Sequence, residues 1–317
     1  MTGQSPAGAP QFQAVVDGTG YDDIAHWISL NPDWEKSLYA YGHVLFRNFQ
    51  VTETAAFDAA LDLLMEPSLE FSEETSPRSA VSARVFTSTD YPRQYPIQFH
   101  HEFSYRRSYP DRLAFCCLRS AAGGGATPLA DARKVLDRIP SGVVEKFEKL
   151  DISYVRNFGD LGVSWQDAFG TTDKVAISDY CQKHDISYSW SGEDLHTSQT
   201  APAVVTHRVT GERVWFNSAL NLNVLGIEPE PIREAMKSLP ASSLATNTTY
   251  GSGDPIEPEV LDQIRGIYAD EAVRYDWQKG DLLLIDNILT AHARDPFEGD
   301  RSVVVGMGHA PAEGVVR

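Results

Sequence analysis

The sequence predicts a mainly β protein, a double-stranded β-helix or jelly roll with helices packed on its outside. Short strand-like runs occur along most of the chain, and long insertions separate them. Stretches with the apolar spacing of a helix lie between those runs. Candidate ligands near residue 100 and near residue 292 are remote in sequence, and a two-sheet sandwich makes remote strands neighbours.

The elements follow in chain order. Residues 1–14 are rich in Gly, Ala, Pro, Ser and Gln and read as a mobile tail, with residues 15–317 forming one domain. Gly42 to Phe49 reads as a strand. Thr54 to Glu66 has helical apolar spacing behind a threonine cap. Residues 72–95 are polar and punctuated by proline, which suits an ordered loop leading to the next segment. From Pro110 to Asp131 an apolar strand-like run gives way to a glycine-rich turn and Thr127. Asp131 to Leu150 predicts a second helical stretch. Asp160 to Thr200 is polar, aromatic and weakly periodic, an insertion placed to cover a site and set its specificity. Ala203 to Asn217 predicts two short strands around a Thr210-Gly211-Glu212 turn. Ile256 to Val273 predicts a third helix, and Asp281 to Asp286 and Arg301 to Met307 two further strands.

Composition narrows the function classes. The 317 residues are 42% hydrophobic, enough for a packed core. Against 27 basic residues stand 44 acidic ones, a net charge of −17 that argues against a nucleic-acid-binding face. The start lacks the basic and apolar regions of a signal peptide, and no run reaches membrane-spanning length, so the chain reads as cytoplasmic. Cys116, Cys117 and Cys181 lack Cys-x-x-Cys spacing and read as core thiols.

The segment Pro96-Ile97-Gln98-Phe99-His100-His101-Glu102 carries the chemistry. Residues i and i+2 of an extended segment face the same side, so His100 and Glu102 can share one ion while His101 faces away. His292 can complete the set. Two imidazoles and one carboxylate on one side of iron(II) leave positions free for a chelating cosubstrate and O2. A bare His-x-Glu is also compatible with packed, hydrogen-bonded side chains.

The surrounding blocks settle between those readings by resemblance. Leu45-Phe46-Arg47-Asn48-Phe49, Ser76-Pro77-Arg78-Ser79, Phe86-Thr87-Ser88-Thr89-Asp90-Tyr91-Pro92, Gly124-Gly125-Ala126-Thr127-Pro128, Gly211-Glu212-Arg213-Val214-Trp215-Phe216-Asn217 and His292-x-Arg294-x-Pro296-Phe297 stand in matching order. From about Tyr41 to about Met307 the chain resembles the iron(II)/2-oxoglutarate-dependent dioxygenases of the taurine dioxygenase superfamily. It is most similar to the branch that contains the aspartate hydroxylase of syringomycin biosynthesis. The resemblance implies His100, Glu102 and His292 as iron ligands, and Thr127 and Arg301 as the holders of the distal carboxylate of 2-oxoglutarate. A planar guanidinium suits that carboxylate, although Arg301 could instead pair with Glu298 or Asp300. Val305 lies where taurine dioxygenase has a further arginine, so one strong anchor is visible.

The resemblance also implies the reaction: 2-oxoglutarate and O2 are consumed, succinate and CO2 are released, and an unactivated C–H bond is hydroxylated. Related halogenases replace the carboxylate ligand with a small residue, whereas Glu102 keeps it here. Desaturation or cyclisation can branch from the same chemistry. The branch acts on amino acids or amino-acid-like groups, free or tethered to a carrier protein. Candidate substrate contacts are Asn217, then Arg84, Ser88, His101, His196 and Arg294. Each has a scaffold alternative, as turn cap, ion-pair partner or loop residue. Competing classes are a zinc hydrolase or lyase on a similar barrel, which leaves Thr127 and Arg301 without a shared task, and a non-catalytic binding protein.

Overall fold

A computed structural model describes residues 14–67, 73, 81–82, 84–88 and 91–311. Strand Arg112–Arg119 explains how the core is divided. Its alternate side chains Leu113, Phe115 and Cys117 belong to one apolar cluster, and Ala114 and Cys116 to another. A strand buried on both faces reads as the continuous apolar run seen in the sequence.

Around it, the described residues form a seven-stranded sheet in the order Val15–Asp17, His43–Arg47, Leu282–Asp286, Arg112–Arg119, Ser302–His309 and Glu66–Pro67, with Val85–Thr87 also paired to Ser302–His309. Val15–Asp17 pairs in parallel with His43–Arg47, and the other pairs are antiparallel. On one side Val44, Phe46, Leu282, Leu284 and Val304 meet the helices. Helix Thr54–Leu64 buries Phe57, Ala60, Leu61 and Leu64 there, the i, i+3, i+4, i+7 stripe of an amphipathic helix. The close approach needs Gly306, because a Cβ at that position would lie 2.5 Å from Leu61 Cδ1. On the other side, Leu283, Ile285, Val303 and Val305 enclose the larger core.

That larger core is closed by a second layer. Ile97–His100, Thr290–Arg294 and Leu129–Asp131 form a three-stranded antiparallel sheet, and Val204–Thr206 pairs with Arg213–Trp215. Gly211 in the connecting turn has φ 71°, the left-handed region that favours glycine. The jelly roll predicted from the strand distribution is therefore the fold, with helices outside it.

Three local expectations change. The helix beginning at Thr54 has Glu53 at its N-cap and no side-chain capping bond, so no threonine caps it. The stretch Asp131 to Leu150 is two helices, Ala132–Arg138 and Ser141–Leu150. Pro140 separates them, because proline drives the preceding Ile139 to extended backbone, here ψ 131°. The third helix starts at Pro258, where a missing N–H costs nothing, and ends at Glu271. The expected N-terminal tail falls outside the described residues except for Ala14, and so does much of the 72–95 loop.

Residues 160–200, expected from the sequence to be an insertion, contribute helices Trp165–Phe169 and Lys174–Lys183 and strands Ser187–Ser191 and Asp194–Ala201. These strands extend a four-stranded sheet through Ile152–Phe158 to Thr246–Tyr250. The insertion packs on its own small core of Phe158, Trp165, Ile177, Cys181 and Leu195. Among the described residues, no helix is long and apolar enough to cross a membrane.

Candidate metal centre and cosubstrate pocket

Strand pairing brings the two halves of the site together. His100 ends strand Ile97–His100, and its partner across the antiparallel ladder is His292 in Thr290–Arg294. The imidazole centroids are 4.3 Å apart. His100 Nδ1–H donates to the Gln98 carbonyl at 2.8 Å, which leaves Nε2 as the ligand nitrogen. Glu102 Oε2 lies 4.0 Å from His292 Nε2. One ligand atom from each of His100, Glu102 and His292 lies within 4.8 Å of the others.

Glu102 is held by a residue that sequence reasoning did not single out. The side-chain oxygen of fully buried Asn287 accepts from the Glu102 N–H at 2.9 Å, and its Nδ2 donates to the carbonyls of Glu102 at 2.9 Å and Pro110 at 2.8 Å. Asn287 follows directly on strand Leu282–Asp286, so the seven-stranded sheet positions the carboxylate ligand. The available signal was a polar Asp286-Asn287 pair at the end of a buried strand.

Beside the triad, Arg301 stands at the head of strand Ser302–His309. Its Nε donates to the Gly125 carbonyl at 2.9 Å, Nη1 to Ser88 Oγ at 3.3 Å and Nη2 to Thr127 Oγ1 at 3.5 Å. Thr127 Oγ1 also accepts from Trp277 Nε1 at 3.3 Å. Burial pushes the Arg301 pKa down to about 10. Asp300 is paired with Arg119 instead, and no described carboxylate pairs with Arg301. An enclosed guanidinium without a counter-ion is costly unless a ligand supplies the charge. Ser88, His100, Glu102, Thr127, His292 and Arg301 all line one cavity. A keto acid chelating at the triad with its distal carboxylate at Arg301 and Thr127 fits that lining.

The remaining predicted site residues are distributed unevenly. Ser88 and Arg294 line the same cavity, but Arg294 donates to the carbonyls of Tyr91 at 2.9 Å, Pro92 at 2.8 Å and Tyr95 at 2.9 Å. It thereby pins the segment that leads into strand Ile97–His100. His101 is buried against the Phe216 ring, and its Nδ1–H donates to the Asn287 carbonyl at 2.6 Å. Desolvation lowers its pKa to about 4, so it is neutral.

Asn217, Arg84 and His196 are not among the residues around the triad cavities. Asn217 accepts from the Ala219 N–H and donates to the Ala203 carbonyl, the turn-capping arrangement. Arg84 is held by Asp58 and Asp62 on helix Thr54–Leu64. His196 bonds to Asn157 Oδ1 at 2.7 Å within the four-stranded sheet. The described part of the 160–200 insertion also contributes nothing to those cavities.

A second cavity, open to solvent, is also lined by His100 and Glu102. Its polar lining includes Gln98, Ser218, Asn221, Thr246 and the tyrosines Tyr91 and Tyr105, and Ile232 and Met236 reach it from helix Glu230–Lys237. Alternation along the strand could have found Gln98, two residues before His100. Asn221 and Thr246 come from other parts of the fold and carry no local signal.

The class follows from the donor set and its neighbour. Two imidazoles and one carboxylate suit iron(II), and the uncompensated arginine beside them suits a dicarboxylate cosubstrate, which together define a non-haem iron(II)/2-oxoglutarate dioxygenase. The family model for the taurine catabolism dioxygenase TauD, TfdA family matches residues 7–307, and the chain belongs to that family. It is 34% identical over 304 residues to the dapdiamide synthesis protein DdaC of Enterobacter agglomerans, covering 95% of this chain and 92% of that protein. A clavaminate synthase-like protein of Arabidopsis thaliana is 28% identical over 282 residues, 85% of this chain and 82% of the relative. Among solved structures, PvcB, an Fe, alpha-ketoglutarate dependent oxygenase from an isonitrile synthetic pathway, superposes with TM-score 0.53 at 14% identity, covering 93% of this chain and 85% of that one. AAD-2 in complex with Mn(II) and N-oxalylglycine gives TM-score 0.51 at 14% identity, covering 91% and 90%.

When bound at this site, iron(II) with 2-oxoglutarate and O2 would supply the oxidising power of the reaction. His100, Glu102 and His292 would present the three ligands, and Arg301 and Thr127 in the same cavity would suit the cosubstrate carboxylate.

Proposed function

We propose that this dioxygenase hydroxylates an unactivated C–H bond of an amino acid or amino-acid-like small molecule, free or tethered to a carrier protein, in natural-product biosynthesis. The observation that carries the hydroxylation reading is Glu102: the carboxylate ligand is present and its main chain is fixed from both sides by Asn287. A halide has no vacated ligand position to occupy. Likeness to a dapdiamide synthesis protein across 95% of the chain supports the biosynthetic setting. Three buried free thiols, Cys116, Cys117 and Cys181, suit a reducing cytoplasm.

The test is aerobic incubation with Fe(II), 2-oxoglutarate and a panel of amino acids and carrier-bound aminoacyl groups, followed by mass spectrometry. Succinate matched by a product carrying one added oxygen atom supports hydroxylation. Loss of two hydrogens instead would assign desaturation or ring closure on the same site. Turnover that proceeds with Zn(II) and without 2-oxoglutarate would replace the reading with a hydrolase or lyase, which leaves the uncompensated charge of Arg301 unexplained.

A further inference from the structure

We infer that the cavity beyond Glu102 takes a charge-masked substrate, an amino-acid unit whose carboxyl and amino groups are both held in amide linkage. The inference rests on the proposed hydroxylation of an amino-acid-like molecule and narrows its substrate class.

Among the described residues that line the cavity, the one ionisable carboxylate is Glu102, whose charge is committed to the metal, and no lysine or arginine is present. His101 on the same wall is fully buried, with its Nδ1–H committed to the Asn287 carbonyl. A free amino acid carries a carboxylate and an ammonium group, and enclosing either without a partner is costly. The wall therefore discriminates against the zwitterion.

What the wall offers is matched to amides. Gln98 and Asn221 present side-chain carboxamides and Thr246 a hydroxyl, and none of these side-chain groups is used in a hydrogen bond within the described protein. A carboxamide donates and accepts, as does a substrate amide, so the two pair in kind without a net charge. Ser218 differs, since its hydroxyl is occupied by Ser104 and the His101 carbonyl. Ile232 and Met236 add apolar surface to the lining. Partly exposed Ile232 lies toward solvent, where the acyl or amide extension of a capped residue would leave the site.

The test uses the iron-loaded full chain and a panel of side chains, each in four forms: free amino acid, N-acetyl acid, N-methylamide, and N-acetyl N-methylamide. Formation of the Fe(II)·2-oxoglutarate chelate is measured first, then succinate release above the substrate-free background. The doubly capped forms are expected to stimulate release by about tenfold or more over the free amino acids. Asn221→Asp, which places a carboxylate on the wall, is expected to cut the response to doubly capped forms by about tenfold and to shift preference toward forms with a free ammonium group.

Free or singly charged forms that work as well as the doubly capped ones would overturn the inference. So would a chelate that forms while no probe of any form raises succinate release, or an Asn221→Asp protein with unchanged preference. Arg78 is the one cation in residues 68–80 and lies outside the described residues. Free acids that win in the wild type and lose in Arg78→Ala would place the counter-charge there and overturn the inference as well. If neither chelate nor succinate appears under any condition, the oxygenase reading itself fails, an outcome distinct from these.

Discussion

His100 and His292 stand directly opposite each other in antiparallel register, with ring centroids 4.3 Å apart. Opposed residues of a ladder are near enough to share one ligand, so the pairing of Ile97–His100 with Thr290–Arg294 creates the metal face. Replacing either histidine or Glu102 by alanine removes one of three protein ligands. Each variant is expected to lose more than about 100-fold in iron-dependent activity, beyond the loss seen when only a supporting group is removed. Succinate release at matched iron concentration checks this, and full activity in Glu102→Ala would remove that residue from the ligand set.

Arg301 lines the triad cavity without a described carboxylate partner, and we assign it to the distal carboxylate of the cosubstrate. Its loss from an enclosed site is expected to weaken 2-oxoglutarate binding by about 2 to 5 kcal/mol. Arg301→Ala should therefore show a large rise in the KM for 2-oxoglutarate, with a much smaller change in the turnover rate once the cosubstrate is saturating. An unchanged KM would move the carboxylate anchor elsewhere.

Asn287 couples the main sheet to the carboxylate ligand. Asn287→Ala strands the buried N–H of Glu102 and two carbonyls, at about 1 to 3 kcal/mol for each unsatisfied group. Chemical denaturation should show a loss of several kcal/mol in total. Because the side chain orients a ligand-bearing segment, iron affinity should fall about 10- to 100-fold at temperatures where the variant is fully folded. Lowered stability with unaltered iron affinity would limit Asn287 to a scaffold role.

Arg294 ties three carbonyls of the 91–95 segment to the strand that carries His292. Arg294→Ala should raise amide hydrogen exchange in residues 91–95 selectively. Arg294→Lys should restore little of the protection, since a single ammonium cannot reproduce the planar fork. Protection unchanged from wild type would show that the segment is held by other contacts.

These assignments differ in how far the sequence could reveal them. His100 and Glu102 were legible because they are two residues apart on one extended segment, a local relationship. Linking them to His292 drew on family resemblance, and the physical cause is a strand register that no local pattern encodes. The same holds for the core: the unbroken apolar run in Arg112–Arg119 announces a strand buried on both faces, but not its neighbours Leu282–Asp286 and Ser302–His309. Arg84 offered a readable clue in Asp58 and Asp62, four residues apart on one helix face and so able to hold one guanidinium. Asn221 and Thr246 reach the second cavity from a loop and from the four-stranded sheet, and their role depends wholly on tertiary structure.

The most direct test of the central claim is an anaerobic titration of metal-free protein with Fe(II) and then 2-oxoglutarate, followed in visible light. A weak charge-transfer band of the chelate is expected in the wild type and none in His100→Ala. Tight binding of Fe(II) or Zn(II) with no band at saturating 2-oxoglutarate would contradict it.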